Sequence, residues 1–326
     1  MKLTLQDMRR MMHGALDVRE QDGYFCFTRF TDRQQAHYDE VKPDFGVKAH
    51  ATSGVRLEFV TDSSQFSFDY HTHIASSREF YYFDVFVDGV MMQHVGHDNI
   101  REAVSSVKVK LAEGTHRVAV YFPCLAQALI KNVTLDDGAT LEPVIKPRRM
   151  ICYGDSITQG YDAKYSSQTY ANLIADKLDA EMLDQGIGGE IFRPSLIDPD
   201  MDFTPDIITV AYGTNDWSGQ ERERTVTNAN AFYEKLRRTY PNAKIFAITP
   251  IWRADDDRVT KVGVFAEGVQ IVKDAASAQE GVVIVDGDKM VPHLREVMAD
   301  KYLHPNDYGF KFYANALYAA IKPHLD

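Results

Sequence analysis

Hydrophobic periodicity changes once along this chain of 326 residues, near residues 141–149, and that change constrains the fold more than any other feature. Before it, short runs alternate apolar and polar residues, the period of half-buried strands. Val55–Val60 and Gln65–Tyr70 alternate in this way, and Phe80–Val87 runs into the hairpin dipeptide Asp88-Gly89. Val107–Leu111, Glu113-Gly114 and His116–Phe122 repeat strand, turn and strand, and Ala128–Leu135 ends at Asp136-Asp137-Gly138. From about Tyr24 to Ile145 no helical periodicity interrupts them, so an antiparallel β-sandwich or jelly roll is expected over residues 1–145.

After Pro143 and Pro147 continuous apolar strands alternate with longer amphipathic segments. Strands are expected at Met150–Gly154, Ala180–Leu183, Ile207–Tyr212, Lys244–Thr249 and Val282–Val285. Helices are expected near 168–178, 221–239, 262–279 and 308–322; Phe232 and Leu236, four apart, mark a core-facing stripe. Apolar strands alternating with helices predict a doubly wound, mostly parallel three-layer α/β sheet over residues 146–326.

Composition narrows the partners. A formal net charge of −11, with only short scattered basic clusters, argues against a nucleic-acid or anionic membrane surface. The first ten residues lack a signal-peptide apolar core, no apolar run reaches transmembrane length, and three cysteines show no CxxC spacing. A cytoplasmic protein with reduced, buried thiols is the expectation.

In an open α/β sheet, ligands bind beyond the carboxyl ends of the strands. Four turns of this chain fall there: Gly154-Asp155-Ser156, Gly186-Ile187-Gly188-Gly189, Gly213-Thr214-Asn215-Asp216-Trp217 and Pro250-Ile251-Trp252-Arg253. Ser156 offers a hydroxyl nucleophile, inert until a base takes its proton. The N–H groups of Ser156 and Gly189 and the Asn215 amide would form an oxyanion hole. His304, ahead of the last helix, is the candidate general base.

The G-x-G-G run lacks a sixth-position glycine, where Ile191 sits, and follows the second strand, which argues against a dinucleotide site. Asp155 and Asp216 are expected to hydrogen-bond loop backbone, and Asp307 to lie with Asn306 at the cap of the last helix. Trp217, Trp252 and Arg253 lie on the predicted rim and are candidate substrate contacts; packing between domains, or pairing of Arg253 with Asp255-Asp256-Asp257, is the alternative. His71 with His73, and His94 with His97, invite a metal check. No cysteine accompanies them, and exposed strand faces collect histidines, so no metal is expected.

The blocks Gly154-Asp155-Ser156, Gly189, Gly213-x-Asn215-Asp216 and His304-Pro305-Asn306-Asp307 resemble the four blocks of the SGNH (GDSL-type) hydrolases, in order, over residues about 148–326. The preceding sandwich is similar to two-domain members of that family, carbohydrate acetyl esterases among them. The resemblance implies a Ser–His hydrolase acting on a small-molecule ester such as an acetylated sugar, without metal or cofactor. An acyltransferase using the same acyl-enzyme and an inactive carbohydrate-binding protein are the alternatives.

The family usually places its acid three residues before the histidine, where this chain has Lys301. Asp300 lies one residue further back, and a one-residue bulge would bring its carboxylate to His304. Without it, the resemblance implies a Ser–His dyad oriented by a backbone carbonyl. Sugar binding, walling of the cleft and homo-oligomer formation all remain open roles for the sandwich.

Overall fold

The computed structural model describes residues 1–100 and 102–325. They divide into two compact units, Met1–Lys146 together with Lys164–Ser167, and Pro147–Ala163 together with Gln168 onward.

The first unit is built on two antiparallel sheets. One orders its strands Met12–His13, Arg56–Thr61, His116–Tyr121, Tyr81–Val87 and Val90–His97, with Glu142–Pro143 also pairing Arg56–Thr61. The other orders Asp17–Gln21, Tyr24–Thr28, Ala126–Leu135, Gln65–Ile74 and Ala103–Lys110. Strand Gln65–Ile74 buries Phe66, Phe68, Tyr70 and Thr72 at every second position, as a strand with one covered face must. Phe66 meets Phe59 and Phe68 meets Phe83 from the facing sheet, with ring centroids 5.2 and 5.6 Å apart, so the sheets form a sandwich around one aromatic core. The Asp88-Gly89 hairpin takes positive φ at both residues (50° and 79°), the primed geometry that matches strand twist.

Helices at Asp32–Val41 and Pro43–Ala49 correct the expectation of strands and turns alone after Tyr24. The first buries only Gln34 and Tyr38, so it shows no apolar stripe in the sequence. Within this unit Ser167 N–H donates to Asp84 Oδ2 at 2.8 Å, and His94, 2.7 Å from Asp84 Oδ1, stacks on Tyr82 and Tyr165.

The second unit holds a five-stranded parallel sheet of Arg148–Gly154, Ala180–Gly186, Ile207–Ala211, Lys244–Ile248 and Val282–Val285. In sequence order the strands lie 2-1-3-4-5. The first strand shows why both faces are covered. Met150 and Cys152 pack with residues of helices Tyr170–Leu178 and Asp307–Ile321, while Tyr153, pointing the other way, meets Phe232 of helix Arg222–Thr239. That helix buries Thr225, Ala229, Phe232, Tyr233 and Leu236, one face of a 3.6-residue repeat. In this order the chain leaves the first strand towards opposite sides, which makes the carboxyl ends of the first and third strands the switch point where such sheets bind ligands. Among the described residues no helix is long and apolar enough to cross a membrane.

Candidate active site

At the end of the first strand the chain makes a tight turn into a one-turn helix, Ser156–Gln159. Asp155 caps it, its carboxylate accepting the Ile157 N–H at 2.9 Å. Burial pushes the Asp155 carboxyl up to about 6, partly offset by that N–H. Ser156 is the first helical residue and only 5% exposed. The second strand passes close behind: a Cβ on Gly186 would lie 2.4 Å from the Gln159 nitrogen, so only glycine admits this approach.

Ser156 Oγ lies 2.8 Å from His304 Nε2, and His304 Nδ1 lies 2.7 Å from Asp300 Oδ2. The bulge that the sequence requires is present. Lys301 takes the left-handed conformation, φ 62°, and Ala299 N–H closes the loop on the His304 carbonyl at 2.8 Å. Asp300 Oδ1 accepts the N–H groups of Tyr302, Leu303 and His304 at 2.9, 2.8 and 3.2 Å. Burial works against ionisation of Asp300, but the His304 hydrogen bond and these N–H groups outweigh it and hold the carboxyl well below its ordinary range. An ionised carboxylate only accepts, so the imidazole proton sits on Nδ1 and Nε2 is left to accept from the Ser156 hydroxyl.

Two more groups reach the imidazole. Tyr161 stacks on it at 5.5 Å, and Asp162 brings Oδ2 to 3.6 Å from Nδ1. The sequence held no sign of either, because the approach depends on left-handed backbone at Gly160 and Asp162 (φ 93° and 70°). Asp162, Asp300 and His304 each present a ligand atom within 4.8 Å of the others, so this trio could hold a metal ion.

Gly189, after the second strand, has φ 90°, which favours glycine. Among the described residues neither its N–H nor that of Ser156 has a hydrogen-bond partner. Asn215 is the second residue of helix Thr214–Gly219, which follows the third strand, and its Nδ2 donates to the Glu190 carbonyl at 2.9 Å, tying that turn to the residue next to Gly189. One amide hydrogen is thereby used and one remains. Asp216 is fully buried with both carboxylate oxygens near the Phe192 N–H, at 3.2 and 3.3 Å, and burial pushes its carboxyl up to about 7. Asp155 and Asp216 therefore both bind loop backbone. Asn306 caps the last helix by accepting from Tyr308 and Gly309, with Asp307 its first residue.

Two of the three rim side chains expected to contact substrate are turned under their loops. Trp217 is 0% exposed, with its indole N–H on the Gly263 carbonyl at 3.0 Å, so it has no surface to offer a substrate. Arg253, 2% exposed, is consumed by Asp255, Thr214 and Tyr302. Trp252 is half-buried and stacks on His293. Trp217 and Arg253 have little surface for a substrate, and Arg253 takes the alternative pairing with Asp255, because a strand-end position fixes the edge of the sheet but leaves open whether a side chain turns outward or under its loop.

Residues 152–312 match the family model of the GDSL-like lipase/acylhydrolases. No curated protein matches the chain in sequence. Among solved structures, a salicylyl-acyltransferase, SsfX3, from a tetracycline biosynthetic pathway is similar at 23% identity and a TM-score of 0.83, over 96% of this chain and 94% of that one. A family two carbohydrate esterase from Clostridium thermocellum, in complex with cellohexaose, is similar at 21% identity and a TM-score of 0.64, over 84% of this chain and 94% of that one. One from Cellvibrio japonicus is similar at 17% identity and a TM-score of 0.65, over 97% and 96%. At these identities the likeness is one of fold.

Proposed function

With residues 152–312 belonging to the GDSL-like lipase/acylhydrolase family, we propose that the chain is a serine ester hydrolase that removes a short acyl group, acetyl in our reading, from a carbohydrate or similar polyol. The observation that carries this is the continuous chain Ser156 Oγ, His304 Nε2, His304 Nδ1, Asp300 Oδ2, with links of 2.8 and 2.7 Å. Ser156 Oγ attacks the ester carbonyl carbon while its proton passes to Nε2. The oxyanion so formed is held by the N–H groups of Ser156 and Gly189 and the free amide hydrogen of Asn215. The imidazolium returns that proton to the departing alcohol, leaving an acyl-Ser156. Water then attacks with His304 again as base, and the acid is released.

A second reading sends the acyl group to an alcohol or amine acceptor instead of water, and the likeness to a salicylyl-acyltransferase favours it. The contact of Asp300 with the histidine counts against an inactive carbohydrate-binding protein, the reading that a displaced acid had supported. Turnover of short p-nitrophenyl esters and acetylated sugars, with and without acceptor alcohols, tests the proposal. Ser156→Ala should abolish it with the fold intact, and retained turnover refutes the mechanism.

A further inference from the structure

We propose that Glu190 and Arg193 are positioning residues for the oxyanion: their shielded ion pair fixes the segment that spaces the Gly189 N–H from the Asn215 amide. This rests on the acyl-serine reading above, in which those two groups and the Ser156 N–H hold the charge. Each of the three donors has a buried carboxylate as its chain neighbour: Asp155 before Ser156, Glu190 after Gly189 and Asp216 after Asn215. Each carboxylate accepts a backbone N–H of the same loops, Asp155 from Ile157 at 2.9 Å, Glu190 from Ile191 at 3.0 Å and Asp216 from Phe192 at 3.2 Å. Glu190 also holds a cation. Its Oε1 accepts from Arg193 Nε at 3.2 Å and from Nη2 at 3.0 Å, and the Arg193 side chain is itself only 17% exposed.

Residues 190–193 belong to no helix or strand, so no regular ladder of backbone hydrogen bonds sets their path. Three ties set it instead. The Glu190 N–H donates to the Ile187 carbonyl at 3.0 Å, closing the turn that presents Gly189. The Glu190 carbonyl accepts from Asn215 Nδ2 and the Phe192 N–H donates to Asp216, so two bonds of opposite direction join this segment to the Asn215 turn. The third tie is the Glu190 side chain, which folds back along its own segment onto the Ile191 N–H and Arg193. Removing the guanidinium would leave a carboxylate buried without its cation, which costs more than the pair contributes. The segment would then shift until Glu190 met water or another donor, and the Gly189 N–H and the Asn215 amide would shift with it. Donors aimed at a developing charge lose their effect on small displacements.

The test compares wild type, Arg193→Ala and Arg193→Lys by kcat and KM on one short p-nitrophenyl ester, by inhibition with a short alkylboronic acid and by tryptophan-detected unfolding, with Ser156→Ala as control. The Ser156 hydroxyl adds to boron while its proton passes to His304, giving a tetrahedral adduct with an oxygen where the oxyanion forms. Its Ki therefore reads the donors without turnover. Arg193→Ala should lower kcat by on the order of 10²-fold, the effect of a displacement of about 1 Å, with KM little changed. The boronate Ki should rise by a comparable factor. Arg193→Lys keeps the charge but loses the two-pronged contact, so kcat should fall and Ki rise by about tenfold, the lower end for one lost hydrogen bond to a charged group. This variant carries the same test if Arg193→Ala fails to fold. Wild-type kcat and Ki in both variants, a lower kcat with Ki unchanged, or a loss confined to the unfolding midpoint overturns the inference. Turnover retained by Ser156→Ala, or a wild type that the boronic acid does not inhibit, overturns the acyl-serine reading instead, so the two failures are distinguishable.

Discussion

Replacing Arg253 by alanine should loosen the hydrolase unit and its site together. The guanidinium donates to Asp255 Oδ1 at 2.5 Å, to Tyr302 Oη at 2.6 Å and to Thr214 Oγ1 at 2.9 Å, and lies 4.8 Å from the Trp217 ring. Thr214 directly precedes Asn215, and Tyr302 lies two residues before His304, so one buried side chain braces the Asn215 turn against the histidine loop. Removing one partner of a buried pair costs roughly 3–5 kcal/mol. Asp255 is 20% exposed and would keep the Tyr302 hydroxyl at 2.5 Å and Arg258 at 3.5 Å, which places the cost at the lower end, about 3 kcal/mol. A shift of the bracing loops by about 1 Å would lower kcat by on the order of 10²-fold. Trp217 and Trp252 are the only tryptophans in the sequence, and both belong to the second unit, so urea unfolding followed by tryptophan fluorescence reports that unit alone. A loss below about 1 kcal/mol, the value of an exposed pair, together with unchanged kcat would refute the bracing role.

Two further outcomes follow from the site. Asn215→Ala should lower kcat by roughly 10²–10³-fold with KM little changed, as expected for a donor used mainly in the transition state, and equal losses in both would contradict that role. The Asp216 carboxyl is pushed up to about 7 by burial, whereas an unfolded aspartate titrates near 4. Between those values the folded chain keeps a proton that the unfolded chain has released, so stability should fall as pH rises through that window. Asp216→Asn should flatten this slope in tryptophan-detected unfolding, and identical slopes would rule out the assignment. Asp300 has the opposite sign: its lowered ionisation contributes stability above about pH 4 that is lost as pH falls further.

The parallel sheet was legible because its strands are continuous apolar runs covered on both faces, and Met150–Gly154 and Val282–Val285 stand out for that reason. The sandwich strands were legible by alternation, but helix Asp32–Val41 was hidden by its polarity. Its start did leave a signal, since Thr31 and Gln34 form a capping box three residues apart. Ser156, Gly189 and Asn215 stood out in the sequence because they occupy turns after the strands of one sheet, and His304 because it lies just ahead of the last helix. Asp300 was found as a near neighbour of His304, although only the left-handed Lys301 brings it into reach. Asp162 was missed because its approach depends on backbone signs in the loop, which no residue pattern announces. Trp217 and Arg253 show the converse: the positions were right and the side chains turned under their loops.

Direct evidence for the central claim is a covalent acyl group on Ser156. A short activated ester should acylate the protein, and intact-protein mass spectrometry of a rapid quench should show a mass increase of one acyl group. Peptide mapping should place it on the segment containing Ser156, and Ser156→Ala should show neither adduct nor turnover. An adduct mapped to another residue, or turnover by Ser156→Ala equal to that of wild type, would contradict the account.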